Sequence, residues 1–131
     1  MSTTSQFSEA VQDILAHPTR GVVGVVDDLL SFCQDRCVEL DWRDNCCRVR
    51  CGQGEWEELT KTALSRSVFR AVLARIAALC NEHEPNSVSP YGGEGQIAVG
   101  ANPARLLHVA FANTAAEQWL KLTRKERAGD G

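Results

Sequence analysis

The fold is decided by the stretch Val38-Glu39-Leu40-Asp41-Trp42-Arg43-Asp44-Asn45-Cys46-Cys47-Arg48-Val49-Arg50-Cys51. Val38, Leu40 and Trp42 alternate with Glu39 and Asp41, the period of two expected of a half-buried strand. Arg43-Asp44-Asn45 carries turn chemistry, because Asp and Asn bond their own backbone and tolerate left-handed conformations. Cys47, Val49 and Cys51 then alternate with Arg48 and Arg50, which predicts a returning strand. Gly52-Gln53-Gly54 reads as a second turn and residues 55 to 59 as a third short strand. Three strands in quick succession predict an antiparallel meander.

Outward from this meander the period becomes helical. Upstream, Val22, Val25, Val26, Leu29, Leu30 and Cys33 share one helical face, opposite Asp27, Asp28, Gln34 and Asp35. Phe7, Val11, Ile14 and Leu15 recur at helical spacing before that, up to the break at His17-Pro18. Downstream, Val68, Phe69, Val72, Leu73, Ile76, Leu79 and Cys80 form the best apolar stripe in the chain, with Ser65 or Ser67 available as a cap. Residues 81 to 95, with two prolines and three glycines, read as a long loop. Three further strands are expected over residues 96–99, 106–111 and 118–122.

The expected fold class is therefore α+β: an antiparallel sheet (three-strand meander, long helix, then about three more strands) with helices packed on one face. Residues 1–20 form a polar segment with a short helix, residues 21–124 a single domain, and residues 125–131 a flexible tail. A chain of 131 residues suits one domain and leaves little room for a second.

Fourteen Lys and Arg against seventeen Asp and Glu give a formal charge of −3. That balance argues against a general nucleic-acid grip, which needs clustered positive charge to displace phosphate counterions. No apolar run approaches the ~20 residues of a membrane-spanning helix, and no basic-then-apolar leader opens the chain. A cytoplasmic location is the expectation.

Six cysteines are present: Cys33, Cys37, Cys46, Cys47, Cys51 and Cys80. The spacings Cys33 to Cys37 and Cys47 to Cys51 are both permissible for zinc ligands. The same residues also fall on apolar faces, where free cysteine behaves as a small hydrophobe. Alternation sets Cys46 beside Arg48 and Arg50, away from Cys47 and Cys51.

Other chemistry is sparse. The lysines, Lys61, Lys121 and Lys125, follow no phosphate-cradling glycine loop. Neither a nucleophile elbow nor an H-E-x-x-H helix occurs. Tyr91-Gly92-Gly93-Glu94-Gly95 permits close backbone approach but opens no helix, and reads as a flexible hairpin entrance. Arg48 and Arg50, on one side of a strand, either hold a phosphate or keep a sheet face soluble.

Taken in order, the motifs fall into a pattern. Cys37-Val38-Glu39-Leu40-Asp41-Trp42 occupies the place of a strand usually reading S-D-I-H-I-E-P, and Arg48-Val49-Arg50 with Gly54 that of R-V-R-x-R-I-D-G. Arg75-Ile76 matches a helical R-I pair, Pro90-Tyr91-Gly92-Gly93 a P-Q-D-G loop, His108-Val109-Ala110 the strand R-V-S, and Leu120-Lys121-Leu122 a closing V-L-R-L. From about Val22 to Arg124 the chain thus resembles the domain preceding the motor in type II secretion and type IV pilus assembly ATPases. His108 stands in place of an arginine there, Gln53 in place of an acidic residue, and the motor itself is absent.

The resemblance implies a PAS-like unit that packs on a motor domain, with arginines reaching toward nucleotide phosphates. Carried over, those ligand-binding positions are Arg48 and Arg50, with Lys121 replacing another arginine. The implied function is a non-catalytic interaction or regulatory module without a cofactor. Its partner would be a protein, a secretion or pilus ATPase or its assembly, rather than nucleic acid or membrane. The alternative is a cysteine-based metal- or small-ligand-binding sensor, with Cys33, Cys37, Cys47 and Cys51 as ligands.

Overall fold

The turn at Asp44-Asn45 closes the expected hairpin with both residues in the left-handed region, at φ 55° and 62°. That is the two-residue geometry whose twist matches the strands it joins. The computed structural model describes residues 10–11, 13–15, 21–32, 37–51, 54–59, 65–99 and 105–124. The segments expected to be polar or flexible at 1–9, 16–20 and 125–131 lie outside them, as does Cys33.

Among the described residues, these elements follow one another with full bounds: α1 (Gly21–Phe32), β1 (Val38–Arg43), β2 (Cys46–Cys51), β3 (Glu57–Glu58), α2 (Arg66–His83), β4 (Gly92–Val99), β5 (Arg105–Asn113) and β6 (Gln118–Arg124). Helical backbone at residues 10–11 and 13–15 also places Val11 and Leu15 in the core. The strands form one sheet in the order β3-β2-β1-β6-β5-β4, antiparallel at every pairing. The last strand thus returns to the middle and pairs with β1, joining the early meander to the late one. This is the α+β architecture expected, with helices on one sheet face.

Register explains the core. Val49, Leu40, Leu120 and Phe111 lie directly opposite one another across β2, β1, β6 and β5, and all are buried. Phe69, Val72, Leu73, Ile76 and Cys80 of α2 pack onto that face, and Val25, Val26, Leu29 and Leu30 of α1 join the same core. Each fully buried large side chain contributes about 1.5–3 kcal/mol relative to exposure, which outweighs the weak helix preference of the valines in α1. Ser65 caps α2, its hydroxyl accepting the Val68 N–H at 3.2 Å. Of two buried polar residues, Asn113 ties α2 to the β5–β6 hairpin and Gln118 braces the turn of that hairpin. Arg70 Nε donates to Asn113 Oδ1 at 2.8 Å, Asn113 Nδ2 donates to the Arg70 carbonyl, and Gln118 Nε2 donates to the Thr114 carbonyl.

The expected long loop over residues 81–95 is corrected at both ends. Helix α2 continues to His83, and β4 begins already at Gly92. Asn81, on the helix, holds Val88 by accepting its N–H and donating to its carbonyl. This latch folds Val88 back over the sheet. A Cβ at Gly95 would sit 3.2 Å from Cys80 Sγ and 3.2 Å from Val88 Cγ1, and one at Gly93 would meet Val88 at 3.2 Å. The glycines are therefore strand residues whose missing side chains admit the covering segment. The third strand is shorter than expected, with only Glu57–Glu58 paired to β2.

Candidate functional site

Alternation along β2 sends Cys47 and Val49 into the core and Cys46, Arg48 and Arg50 to the opposite face. Among the described residues no helix covers that opposite face. The register sets Arg48 directly across from Asp41 and Arg50 directly across from Glu39. Both pairs form two-pronged ion pairs. Arg48 Nε donates to Asp41 Oδ1 at 2.9 Å and its Nη2 to Oδ2 at 2.6 Å. Arg50 Nε donates to Glu39 Oε2 at 3.0 Å and Nη2 to Oε1 at 3.3 Å. The planar guanidinium matches both carboxylate oxygens, so these bonds fix orientation as well as charge. Bound to Asp41, the Arg48 guanidinium is pushed above its already high ordinary value.

One aromatic ring completes the cluster. The guanidinium carbons of Arg48 and Arg50 lie 4.5 Å and 4.6 Å from the centre of the Trp56 ring. At that distance the ring's negative face attracts both cations. Trp56 reaches them because Glu58 is paired with Arg48, so residue 56, two positions earlier, falls on the same side of the sheet. The sequence reading did not single out Trp56. Its signal was there: a tryptophan within the third strand expected over residues 55–59, beside a strand carrying two arginines.

Lys121 joins the same face. It lies on β6 directly opposite Glu39 on one side and Ala110 on the other, and it is exposed. A cross-sheet row therefore reads Arg50, Glu39, Lys121, Ala110, Glu94. The three positively charged residues expected to act together are brought to one face, interleaved with two acidic partners. His108 Nε2 lies 3.3 Å from Glu94 Oε1 further along.

The cysteines are arranged differently. Cys37 Sγ lies 3.9 Å from the hydroxyl of Thr123, on the solvent side. Cys47 and Cys51 share the core side of β2 but stand four residues apart, about 13 Å at the ordinary strand rise. A shared ion needs ligands within about 2.3 Å of one point. Among the described residues no group of three His, Cys, Asp or Glu is placed to hold a metal. Burial pushes the Cys47 thiol strongly up and the Cys80 thiol up to about 11. Cys46 shares a face with Arg48, yet partial burial and the nearby Glu58 carboxylate raise its thiol as well. Its Sγ lies 3.4 Å from the Cys47 carbonyl. This is the setting of packed thiols rather than of activated thiolates.

No helix among the described residues is long and apolar enough to cross a membrane. No family model matches the chain, and no curated protein matches it.

Proposed function

We propose that this chain is a non-catalytic interaction module, resembling the pre-motor domain of secretion and pilus ATPases, that docks on a protein partner through the uncovered sheet face. The observation that carries the reading is the cluster of Arg48, Arg50 and Trp56, held in place by Asp41 and Glu39. Arginine and tryptophan are the side chains that most often dominate protein–protein binding, and their contribution grows when they are held rigid before contact. Both guanidinium groups already carry a carboxylate. An incoming phosphate would face negative charge beside each cation, whereas a protein surface with its own mixed charges would not.

The order of elements supports the motor domain of a secretion or pilus ATPase as the partner to test first. Purified chain is mixed with such a motor, and complex formation and ATP hydrolysis are measured together. The expected result is a complex that Trp56→Ala weakens at least tenfold. A folded Trp56→Ala variant that binds as tightly as the parent would remove the sheet face from the account.

A further inference from the structure

The two edges of the sheet are unlike. At one edge β3 pairs over only two residues, both glutamate, which is how natural sheets blunt an edge against further pairing. At the other edge β4 runs for eight residues, unbroken by proline or bulge, with Glu94 as its one charge. The backbone groups it leaves open can be assigned. The Asn113 N–H donates to the Tyr91 carbonyl at 2.9 Å, so Tyr91 and every second residue after it direct N–H and C=O toward β5. Gly92, Glu94, Gln96 and Ala98 therefore direct theirs outward. Gly92 exchanges hydrogen bonds with Ser89, which closes that end. Among the described residues, Glu94, Gln96 and Ala98 remain as an open row.

We propose that this row pairs with the same row of a second copy of the chain, antiparallel about a two-fold axis at Gln96. In such a pairing Gln96 faces its own copy, and Glu94 faces the partner's Ala98. All three are outward-directed residues, so each opposition is of the hydrogen-bonded kind. On the core side of the sheet, Ile97 falls opposite Gly95 and Val99 opposite Gly93, both glycines being already covered by Val88. Moving the axis to Glu94 would set two carboxylates against each other. Moving it to Gly95 would place Ala98 against the Gly92 groups already bonded to Ser89. The Gln96 register avoids both. The result is one continuous twelve-stranded sheet with both helical layers on the same side, leaving the Trp56 face open on each copy.

Sedimentation over a concentration series up to about 100 µM tests this, since pairing along one short edge buries a small interface of the weak class. The full chain is expected to sediment as a reversible dimer, with the amides of Glu94, Gln96 and Ala98 protected from exchange only in the dimer. Gln96→Lys and Gln96→Glu each place like charges on the axis and should weaken dimerisation at least tenfold. Their side chains lie on the solvent side, so circular dichroism should match the parent. Mixing the two variants sets Lys against Glu and should restore the dimer. A monomer throughout the series would overturn the proposal and leave the edge to an extended peptide. A dimer indifferent to both variants, or a mixture that stays apart, would overturn it as well.

Discussion

Removing the Asp41 carboxylate should cost more than an ordinary surface ion pair, by an amount the geometry bounds. The Asp41 and Arg48 side chains are 17% and 19% exposed and share two hydrogen bonds of 2.6 and 2.9 Å. Freely exposed pairs couple by about 0.2–1 kcal/mol, because water screens them and two long side chains must be ordered. Here Trp56 already restrains the arginine and most of the water is gone. We expect a coupling of about 1–2 kcal/mol from the cycle Asp41→Ala, Arg48→Ala and the double variant. The Glu39–Arg50 rung has longer bonds and an arginine 32% exposed, so its coupling should be about half as large. Urea unfolding measures both, provided the slope with denaturant is unchanged among the variants. Repeating the first cycle in a Trp56→Ala background should lower the coupling, since the guanidinium would then have to be ordered by the carboxylate alone. Couplings below ~0.3 kcal/mol, equal for the two rungs, or indifferent to Trp56 would refute the idea of a held cluster.

Three further outcomes are expected. Because the Cys80 thiol is raised to about 11 from an ordinary value near 9, the folded state keeps a proton that the unfolded state releases. Stability is thus fully present below pH ~9 and falls as pH rises toward ~11, by up to about 1.4 kcal/mol per pH unit. Urea titrations at pH 8, 9 and 10 check the slope, and Cys80→Ala should make it shallower, the buried Cys47 thiol supplying what remains. Gly95→Val, which strand preference alone would favour, should instead destabilise by about 1–3 kcal/mol through overpacking against Cys80 and Val88. Pairing it with Val88→Ala should recover part of that loss in thermal melts. Asn113→Ala leaves Arg70 without its carboxamide partner at a site 7% exposed, and should cost about 1–3 kcal/mol in chemical denaturation.

Much of this fold is legible in the sequence because its central strands alternate cleanly. Val38, Leu40 and Val49 were placed on the buried side by period alone, and the register confirms them there. Helix α2 was legible for the same reason, as was its serine cap. The glycine-rich stretch was not. Gly92, Gly93 and Gly95 look like loop residues because glycine weakens a strand, and only the packing of Val88 and Cys80 reveals why they stand in one. The return of β6 to the centre of the sheet was also invisible, since strand order across the 74 residues between Arg43 and Gln118 leaves no local mark. For the site, Arg48, Arg50 and Lys121 were named from pattern and resemblance, and the structure sets all three on one face. Their acidic partners follow from register, which alternation implies once the Asp44-Asn45 turn is fixed. Trp56 lies in the third strand read over residues 55–59, but which face it takes depends on the pairing of Glu58 with Arg48, which only the structure gives.

Docking through the Trp56 face is the claim on which the functional reading stands. Binding of the purified chain to a secretion or pilus motor domain, followed by calorimetry with parent and Trp56→Ala protein, tests it most directly. The account predicts a complex that loses at least tenfold in affinity with Trp56→Ala and shows a changed rate of ATP hydrolysis. No complex with any such motor, together with unaltered hydrolysis, would contradict it.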